Sequence, residues 1–332
     1  MSLVVDGLTK RFGPVVALDG VTWTAAPGQV FGFLGANGAG KTTAMRVVLG
    51  ILRPDAGRVT WQGRDTHALP RRTWGYLPEE RGLYPRMRVA DQLAYFASLH
   101  GLAPPDARRR AGEWLERFRI TELGDRHADE LSKGNQQKVQ FIAAVLHEPA
   151  VLLMDEPFTG LDPVNVGLLR DAFLELRDAG RTIVFSTHQM EAAEALCDAI
   201  AIIDRGRVVL GGALSDVRRA TGSSRVRIAV AGERDLGSLA RREGAVVVRR
   251  GVDGAELTVP AGDDPAALLA EALASGLRVT AFELVEPTLE ELFVRSVGAA
   301  RDDETDEAGT ESDGRRRSVR AAGADDPVEG LA

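Results

Sequence analysis

The stretch GANGAGKT, residues 35–42, decides the fold of this chain. It fits the pattern G-x-x-x-x-G-K-[ST], in which glycines let successive backbone N–H groups point inward at phosphate oxygens. The apolar run at residues 29–34 predicts a buried strand before the loop, and residues 41–52 predict a helix after it, ending before Pro54. This strand–loop–helix order is the context that a phosphate-binding loop requires, because the helix adds the positive end of its dipole.

The polar side chains of the loop have distinct predicted tasks. Lys41 is expected to place its ammonium group on the β- and γ-phosphates of a nucleotide, and the Thr42 hydroxyl is expected to bind Mg²⁺. Thr43 is expected near the phosphates. The candidate nucleotide-binding residues of the loop are Gly35, Ala36, Asn37, Gly38, Ala39, Gly40, Lys41, Thr42 and Thr43.

A second apolar run, VLLMDE at residues 151–156, ends in two carboxylates. A strand of this kind presents them at the carboxyl edge of the sheet, beside the phosphate loop. Asp155 is expected to hold Mg²⁺ through water, and Glu156 is expected to polarise the attacking water. Hydrolysis then depends on positioning and charge stabilisation. Because two buried carboxylates are unfavourable without a cation, the pair supports a nucleotide site.

Strands alternate with helices through the first two-thirds of the chain. Short apolar runs at residues 150–154 and 182–186 are typical of buried strands. Three apolar stripes at helical spacing predict helices with core-facing sides: Val89, Leu93, Phe96 and Leu99; Ala107, Ala111, Trp114, Leu115 and Phe118; and Val139, Ile142, Ala143 and Leu146. This pattern predicts an α/β fold with a largely parallel sheet.

The pattern changes after about residue 215. Strands are predicted over residues 225–230, 245–250, 255–259 and 277–284, and helices over 236–242 and 265–274. The order β-α-β-β-α-β is the ferredoxin-like arrangement, and a final helix is predicted from Pro287 to about Val297. Residues 215–298 are therefore predicted to form a second, smaller domain.

Composition excludes several classes of protein. The chain has 332 residues, 44% of them apolar, and a formal net charge of −7, which argues against nucleic-acid binding. The single cysteine, Cys197, excludes an intramolecular disulfide and a cysteine-based zinc cluster. No apolar run approaches the length of a membrane span. Residues 299–332 lack aromatics and are predicted to be a disordered tail. The arginine cluster at 315–320 is expected to be solvated, and the alternative is that it contacts anionic lipid.

The stretch LSKGNQQ, residues 131–137, precedes the third helical stripe and resembles the signature motif of ATP-binding-cassette (ABC) ATPases. Ser132 and Gly134 match that motif, whereas Lys133 and Asn135 replace more usual residues.

Other positions fit the same family in order. Phe12 corresponds to an aromatic residue that stacks on adenine, Gly160-Leu161-Asp162 resembles the D-loop, and His188 resembles the switch histidine. The resemblance covers about residues 3–215.

The resemblance implies a specific architecture and chemistry. The fold is expected to be a P-loop NTPase ABC cassette at residues 1–214, with a helical subdomain at about 87–150, followed by a small α+β ferredoxin-like domain and the tail. The activity is expected to be ATP hydrolysis with Mg²⁺, and Glu156, His188 and Lys41 are the catalytic candidates. In the family two cassettes close head-to-tail, so Ser132, Gly134 and Asp162 are expected to face nucleotide on a second cassette, by default a second copy.

One position departs from the family. The family usually has Gln at the start of the segment that leads to the helical subdomain, and aligning GYLPEERGLYP, residues 75–85, places Glu79 there. Glu79 is a candidate ligand of Mg²⁺ or a positioning group for water. The alternative is a carboxylate that caps a helix or contacts another subunit.

The LPEERGLYP stretch, the signature and the trailing domain resemble bacterial ABC ATPases of sodium-export and drug-efflux type. This implies export of a substrate through separate membrane-spanning permease subunits, a contact surface for them at about residues 79–99, a location at the cytoplasmic face of the cell membrane, and no nucleic-acid partner. The alternative is a soluble ABC-type ATPase acting on ribosomes or DNA, although translation members usually carry two cassettes and repair members a long coiled coil. A third reading makes residues 215–298 a ligand-sensing module.

Overall fold

The computed structural model describes residues 2–80, 82–219, 224–230, 245–251, 254–259 and 264–298. The predicted tail at 299–332 and the predicted helix at 236–242 lie outside the described residues. The strands are β1 (Leu3–Phe12), β2 (Val15–Ala25), β3 (Val30–Leu34), β4 (Ala56–Trp61), β5 (Arg64–Asp65), β6 (Trp74–Leu77), β7 (Val151–Asp155), β8 (Thr182–Thr187), β9 (Ala199–Asp204), β10 (Arg207–Ala213), β11 (Ser224–Val230), β12 (Val246–Gly251), β13 (Gly254–Val259) and β14 (Val279–Val285). The helices are α1 (Lys41–Val48), α2 (Val89–Leu99), α3 (Pro104–Arg117), α4 (Lys133–Val145), α5 (Pro163–Asp178), α6 (Met190–Leu196), α7 (Leu214–Arg219), α8 (Pro265–Ala274) and α9 (residues 289–298).

A six-stranded sheet forms the centre of the cassette, in the order β10-β9-β3-β8-β7-β6. Strands β9, β3, β8, β7 and β6 are parallel, and β10 pairs antiparallel with β9 at the edge. Every residue of β3, β7 and β8 is buried, because both faces of the sheet are covered. The predicted parallel α/β sheet is confirmed. Strands β3 and β7 end at the same edge of this sheet, separated by β8.

Successive residues of β3 face two different cores. Phe31 and Phe33 pack with Trp23 of β2 on one face, and the Trp23 and Phe31 rings stack with centroids 4.8 Å apart. Val30 and Leu34 point into the other core, which holds the helical subdomain. The strand is therefore fixed from both sides, which fixes the position of the phosphate loop that follows it.

A second, antiparallel sheet in the order β2-β1-β4-β5 covers one face of the cassette. This sheet has a weak sequence signal, because Gly7, Gly13 and Gly20 adopt positive φ and interrupt the alternation of apolar and polar residues. The pairing of β1 with β2 shifts register at several points, as β-bulges do. Strand β1 ends at Phe12, so this sheet carries the proposed adenine contact.

The helical subdomain consists of α2, α3 and α4. Most of the predicted apolar stripes are buried there, including Leu93, Phe118 and Ile142. The prediction that Leu99 belongs to the core is wrong: Leu99 is 63% exposed, because it is the last residue of α2, where the helix ends. Among the described residues, no helix has the length and apolar character to cross a bilayer.

The C-terminal sheet has the order β12-β13-β11-β14, with every pair antiparallel. Leu268 and Ala272 of α8 pack on Val226 and Ile228 of β11. This is the strand order of the ferredoxin-like arrangement, so the predicted fold class is confirmed in the described part of the chain.

Helix α9 returns to the cassette. Leu289 and Leu292 are buried in the same core as the helical subdomain, and the Leu289 N–H donates to the Glu194 carboxylate of α6. Arg218 of α7 lies 3.5 Å from Glu194 and 2.8 Å from Glu286. The C-terminal segment is thus attached directly to α6, the helix that follows His188.

Candidate active site

One open cavity of about 490 Å³ brings the phosphate loop together with the carboxyl end of β7. The residues that line it come from five separate segments: Val15, Val16, Ala17, Asn37, Gly38, Gly40, Lys41, Thr42, Thr43, Glu79, Asp155, Glu156, Arg205 and Gly206. Predicted loop residues, both predicted carboxylates and Glu79 therefore share one site.

The phosphate loop needs glycine at two close contacts. A Cβ atom on Gly35 would lie 2.4 Å from the Ile203 carbonyl oxygen, and one on Gly40 would lie 2.6 Å from that of Ala17. Gly40 also has a φ of 112°, at the N-cap of α1. These contacts hold the loop against β9 and β2, so that the first turn of α1 opens toward the cavity.

Lys41 lies at the centre of the site. Its ammonium group donates to the carbonyl oxygens of Gly35 at 2.8 Å and Ala36 at 3.2 Å, and lies 3.7 Å from Glu156 Oε1. Lys41 and Glu156 are each only 6% exposed. A buried cation of this kind requires a nearby anion, which Glu156 provides within the chain and a phosphate group would provide on binding.

Asp155 is buried and only half satisfied. Its carboxylate accepts a hydrogen bond from the Ser186 hydroxyl through Oδ1, whereas Oδ2 has no hydrogen-bond partner in the described part of the chain. No group of three metal-ligating acidic, His or Cys side chains is found among those residues. Mg²⁺ commonly uses one or two protein groups with waters and substrate phosphates. The donor set of Asp155, Thr42 and Glu79 therefore fits Mg²⁺ that arrives with a nucleotide.

Glu156 is held in an unusual backbone conformation. Its φ is 50°, in the left-handed region that only a small minority of non-glycine residues adopt. Oε2 accepts a hydrogen bond from the Thr187 hydroxyl at 3.0 Å, and Oε1 accepts from the His188 backbone N–H at 3.1 Å. His188 Nδ1 also lies 2.8 Å from Oε1. The carboxylate is therefore fixed by β8 and the residue after it.

Ser186 and Thr187 support the site although no sequence motif marks them. Both are fully buried hydroxyl residues at the end of β8, and each donates to one of the two carboxylates. Their signal in the sequence is a pair of polar residues at the carboxyl end of a buried parallel strand, which is where sites form in such sheets. Arg205 also lines the cavity without a motif to mark it, at a tight turn with a φ of 45°.

Phe12 does not line the cavity itself. Its strand partner is Val15, which does line it, and the Phe12 residue is 48% exposed with Lys10 Nζ 5.6 Å from the ring centroid. An aromatic face is thus available at the mouth of the site.

The remaining predicted loop residues lie around the cavity. Ala39 is buried beneath the loop, and Gly35 and Ala36 border a neighbouring cleft that also contains His188.

The signature residues lie elsewhere on the same chain. Ser132 caps α4 and accepts a hydrogen bond from the Asn135 N–H at 3.3 Å, and Asp162 caps α5 in the same way with Asn165 at 3.0 Å. A Cβ atom on Gly134 would lie 3.6 Å from the Gly160 carbonyl oxygen. The signature and the D-loop segment are therefore neighbours, but none of these residues lines the cavity at the phosphate loop.

A second concave surface, the subdomain groove, lies between the cassette sheet and the helical subdomain, with a volume of about 310 Å³. It is lined mainly by Ile51, Arg71, Trp74, Tyr76, Leu83, Phe96, His100, Gln140 and His147. The rings of His100 and His147 stack with centroids 3.7 Å apart. Tyr84, Tyr95 and Leu99 are exposed on α2 or the segment before it, within the predicted contact region at residues 79–99.

Comparison with known proteins gives two family matches. Residues 18–159 match the ABC transporter family, and residues 212–297 match the C-terminal domain of ATP-binding proteins that resemble DrrA1-3. A solved ATP-binding subunit of an ABC transporter has a TM-score of 0.63 at 33% identity, over 67% of this chain and 94% of that chain.

Two relatives match over nearly their whole length. The chain is 44% identical over 297 residues to YhaQ, an uncharacterised ABC transporter ATP-binding protein of Bacillus subtilis, covering 90% of this chain and 99% of the relative. It is 34% identical over 307 residues to DrrA3, a daunorubicin resistance ATP-binding protein of Streptomyces coeruleorubidus, covering 90% of this chain and 97% of that relative. The chain therefore belongs to the ATP-binding proteins of the ABC transporter family, which are ATPases.

Proposed function

We propose that this chain is the ATP-hydrolysing subunit of an ABC exporter and drives substrate through separate membrane-spanning permease subunits. The observation that carries the proposal is the convergence of Lys41, Asp155 and Glu156 at one cavity, with the backbone N–H of His188 donating to Glu156 from the adjoining cleft. The similarity to DrrA3, a daunorubicin resistance ATP-binding protein, and the match to the DrrA1-3-like C-terminal domain support export.

The proposed chemistry needs little movement of protein groups. The loop N–H groups and Lys41 bind the phosphates, and Asp155, Thr42 and Glu79 would hold Mg²⁺, which would supply neutralising charge for the phosphates. Glu156 polarises the attacking water, and its carboxylate is already oriented by Thr187 and His188. This geometry favours hydrolysis through preorganised charge rather than through a covalent intermediate.

The second half of each site is proposed to come from a second copy of the chain. Ser132 and Gly134 lie at the exposed N-terminal end of α4, where backbone N–H groups and the helix dipole favour a phosphate. They do not line the cavity of their own chain. Because this chain carries both the phosphate loop and the signature, two copies arranged head-to-tail would complete two identical sites.

The subdomain groove is proposed to receive the permease. It joins a partly apolar wall, including Phe96 and Leu83, to the exposed side chains of Tyr84, Tyr95 and Leu99. Exposed apolar residues that continue into a groove indicate a protein contact. A permease bound there implies a location at the cytoplasmic face of the membrane, which is part of the proposal. Residues 1–214 of the chain are proposed to form the ATP-binding domain, and residues 215–298 the accessory domain.

Affinity purification from membranes tests the proposal. A Glu156→Gln chain supplied with ATP serves as a trapped bait, and the co-purifying chains are identified by mass spectrometry. We expect a polytopic membrane protein that is lost when Leu99 and Phe96 are replaced by Asp, while ATP binding is retained. Recovery of ribosomal or DNA-associated proteins without a membrane chain would overturn the exporter assignment.

A further inference from the structure

Helix α4 is tied by a buried side-chain amide to the segment that carries Glu156. Gln137 Nε2 donates to the carbonyl oxygen of Pro157, the residue after Glu156, at 3.0 Å. Gln137 is only 9% exposed. Because a buried donor that loses its acceptor is unfavourable, the Pro157 carbonyl and this turn of α4 must move together.

One turn further along the same helix, a second amide reaches the segment that carries Glu79. Gln140 Nε2 donates to the carbonyl oxygen of Glu80 at 3.2 Å, and Gln140 is only 5% exposed. Residues three apart lie on one side of a helix. A single helix therefore holds the segments beside two of the carboxylates that line the nucleotide cavity, Glu79 and Glu156.

The Gln140 amide is not explained by stability. Its Oε1 atom is buried and has no hydrogen-bond partner in the described part of the chain. A half-satisfied buried amide is less favourable than an apolar side chain of the same shape. The hydrogen bond to Glu80 gives this residue a positioning role instead.

We propose that Gln137 and Gln140 are positioning residues that couple the nucleotide cavity of this chain to its own signature. Gln137 lies five residues from Ser132 on one continuous helix, which is about 7.5 Å along the axis. A shift of the Glu156 or Glu79 segment therefore moves Ser132 and Gly134, and with them the cap of a nucleotide on the second copy. The inference rests on the proposed roles of Glu156 and the signature.

The test uses the full-length chain with two substitutions that replace the amide by an apolar side chain of similar volume, Gln137→Leu and Gln140→Leu. The phosphate contacts are intact in both, so we expect KM for ATP to stay within about twofold. Misplaced catalytic groups can cost up to about a hundredfold in rate, and we expect kcat to fall about tenfold. For Gln140→Leu we expect an unchanged or higher unfolding temperature, which a purely structural role would not give.

Lys138→Met is the matched control. Lys138 lies on the same helix, is 7% exposed and donates to the Phe118 carbonyl oxygen at 3.2 Å, which belongs to the helical subdomain rather than the nucleotide cavity. Its kcat should stay within about twofold of the original chain. A second measurement, ATP-dependent dimer formation in a Glu156→Gln background, should be weakened by the two glutamine substitutions and not by Lys138→Met.

The outcomes distinguish a failure of the proposed coupling from a failure of the proposed function. Hydrolysis that disappears in Glu156→Gln, with reduced kcat and unchanged KM in both glutamine variants, supports the coupling. A normal kcat and normal dimer formation in either variant overturns the assignment of that glutamine. The assignment is also overturned if Lys138→Met lowers kcat as much as the glutamine variants do and the fall in kcat follows the fall in unfolding temperature. If Glu156→Gln hydrolyses ATP normally, the proposed active site itself is wrong.

Discussion

His188 Nδ1 lies 2.8 Å from Glu156 Oε1, and the backbone N–H of His188 donates to the same oxygen. The histidine is 49% exposed on its side chain, whereas the glutamate is almost fully buried. The carboxylate therefore lies inside the site while its histidine partner lies at the boundary with solvent. A phosphate contact that draws the imidazole would change the hydrogen bonds of Glu156 directly, so the two residues act as one unit.

Glu156→Gln should nearly abolish ATP turnover while preserving ATP binding. The amide retains the shape that Thr187 and His188 hold, but it cannot polarise water as a carboxylate does. General-base contributions are about a hundredfold to ten-thousandfold, and we expect kcat to fall within that range. The measurements are phosphate release and equilibrium ATP binding.

Glu175→Gln is the control for loss of a carboxylate. Glu175 is an exposed residue of α5 that pairs with Arg117 at 2.7 Å and does not line the nucleotide cavity. Its turnover should match that of the original chain. Wild-type turnover in Glu156→Gln would exclude Glu156 as the group that polarises water.

The sequence predicted the parts of the site that depend on a local pattern. Lys41 follows a glycine loop, and Asp155 and Glu156 end an apolar strand, so strand–loop–helix logic places them at one sheet edge. It did not predict the support from Ser186 and Thr187, because that support depends on which strands are neighbours: β8 lies between β3 and β7 only in the folded sheet. Nor did it predict that Gly134 lies beside Gly160, since this depends on how α4 packs.

Two inactive variants should restore activity to each other if the sites are shared between copies. Lys41→Ala removes the phosphate contact of one chain, and Ser132→Arg blocks the signature of the other. In a mixed dimer one site carries both defects, while the other combines an intact phosphate loop with an intact signature. We therefore expect partial ATPase activity in the mixture and very low activity in each variant alone.

The complementation has a built-in control. A mixture of Lys41→Ala with a Lys41→Ala, Ser132→Arg double variant has no intact pair and should stay inactive. Ser132→Arg alone should still bind ATP, because Ser132 does not line the cavity of its own chain. No recovery on mixing, despite mixed dimers on a sizing column, would contradict the shared site.

Phe12→Ala should weaken ATP binding without affecting the fold. The side chain is exposed at the end of β1, so its removal leaves no cavity in either core. Stacking of a base on an aromatic ring contributes about 1–3 kcal/mol, which corresponds to roughly a 5- to 150-fold rise in Kd. Calorimetric titration measures the affinity, and Phe12→Trp, which keeps an aromatic face, is the matched variant. Equal affinities of the Ala and Trp variants would rule out stacking.

Acid should destabilise the chain through the stacked histidines of the subdomain groove. Burial, together with the neighbouring His100, lowers the pKa of His147 from 6.5 to about 4, although the hydrogen bond with the Trp74 carbonyl oxygen opposes this. Between these values the unfolded chain binds a proton that the folded chain does not. The stability present above pH 6.5 is therefore lost as the pH falls toward 4.

Urea unfolding at pH 7, 6 and 5 measures this effect. His147→Phe keeps a ring against His100 and removes the titration, so its unfolding free energy should fall less steeply between pH 7 and 5. Some slope will remain, because burial also lowers the pKa of His100. His127→Phe is the matched control, since His127 is exposed and pairs only with the nearby Glu130 among its described ionic contacts. If His147→Phe and the original chain lose stability in parallel, His147 is protonated as easily in the folded state as in the unfolded one, and the groove is open to water.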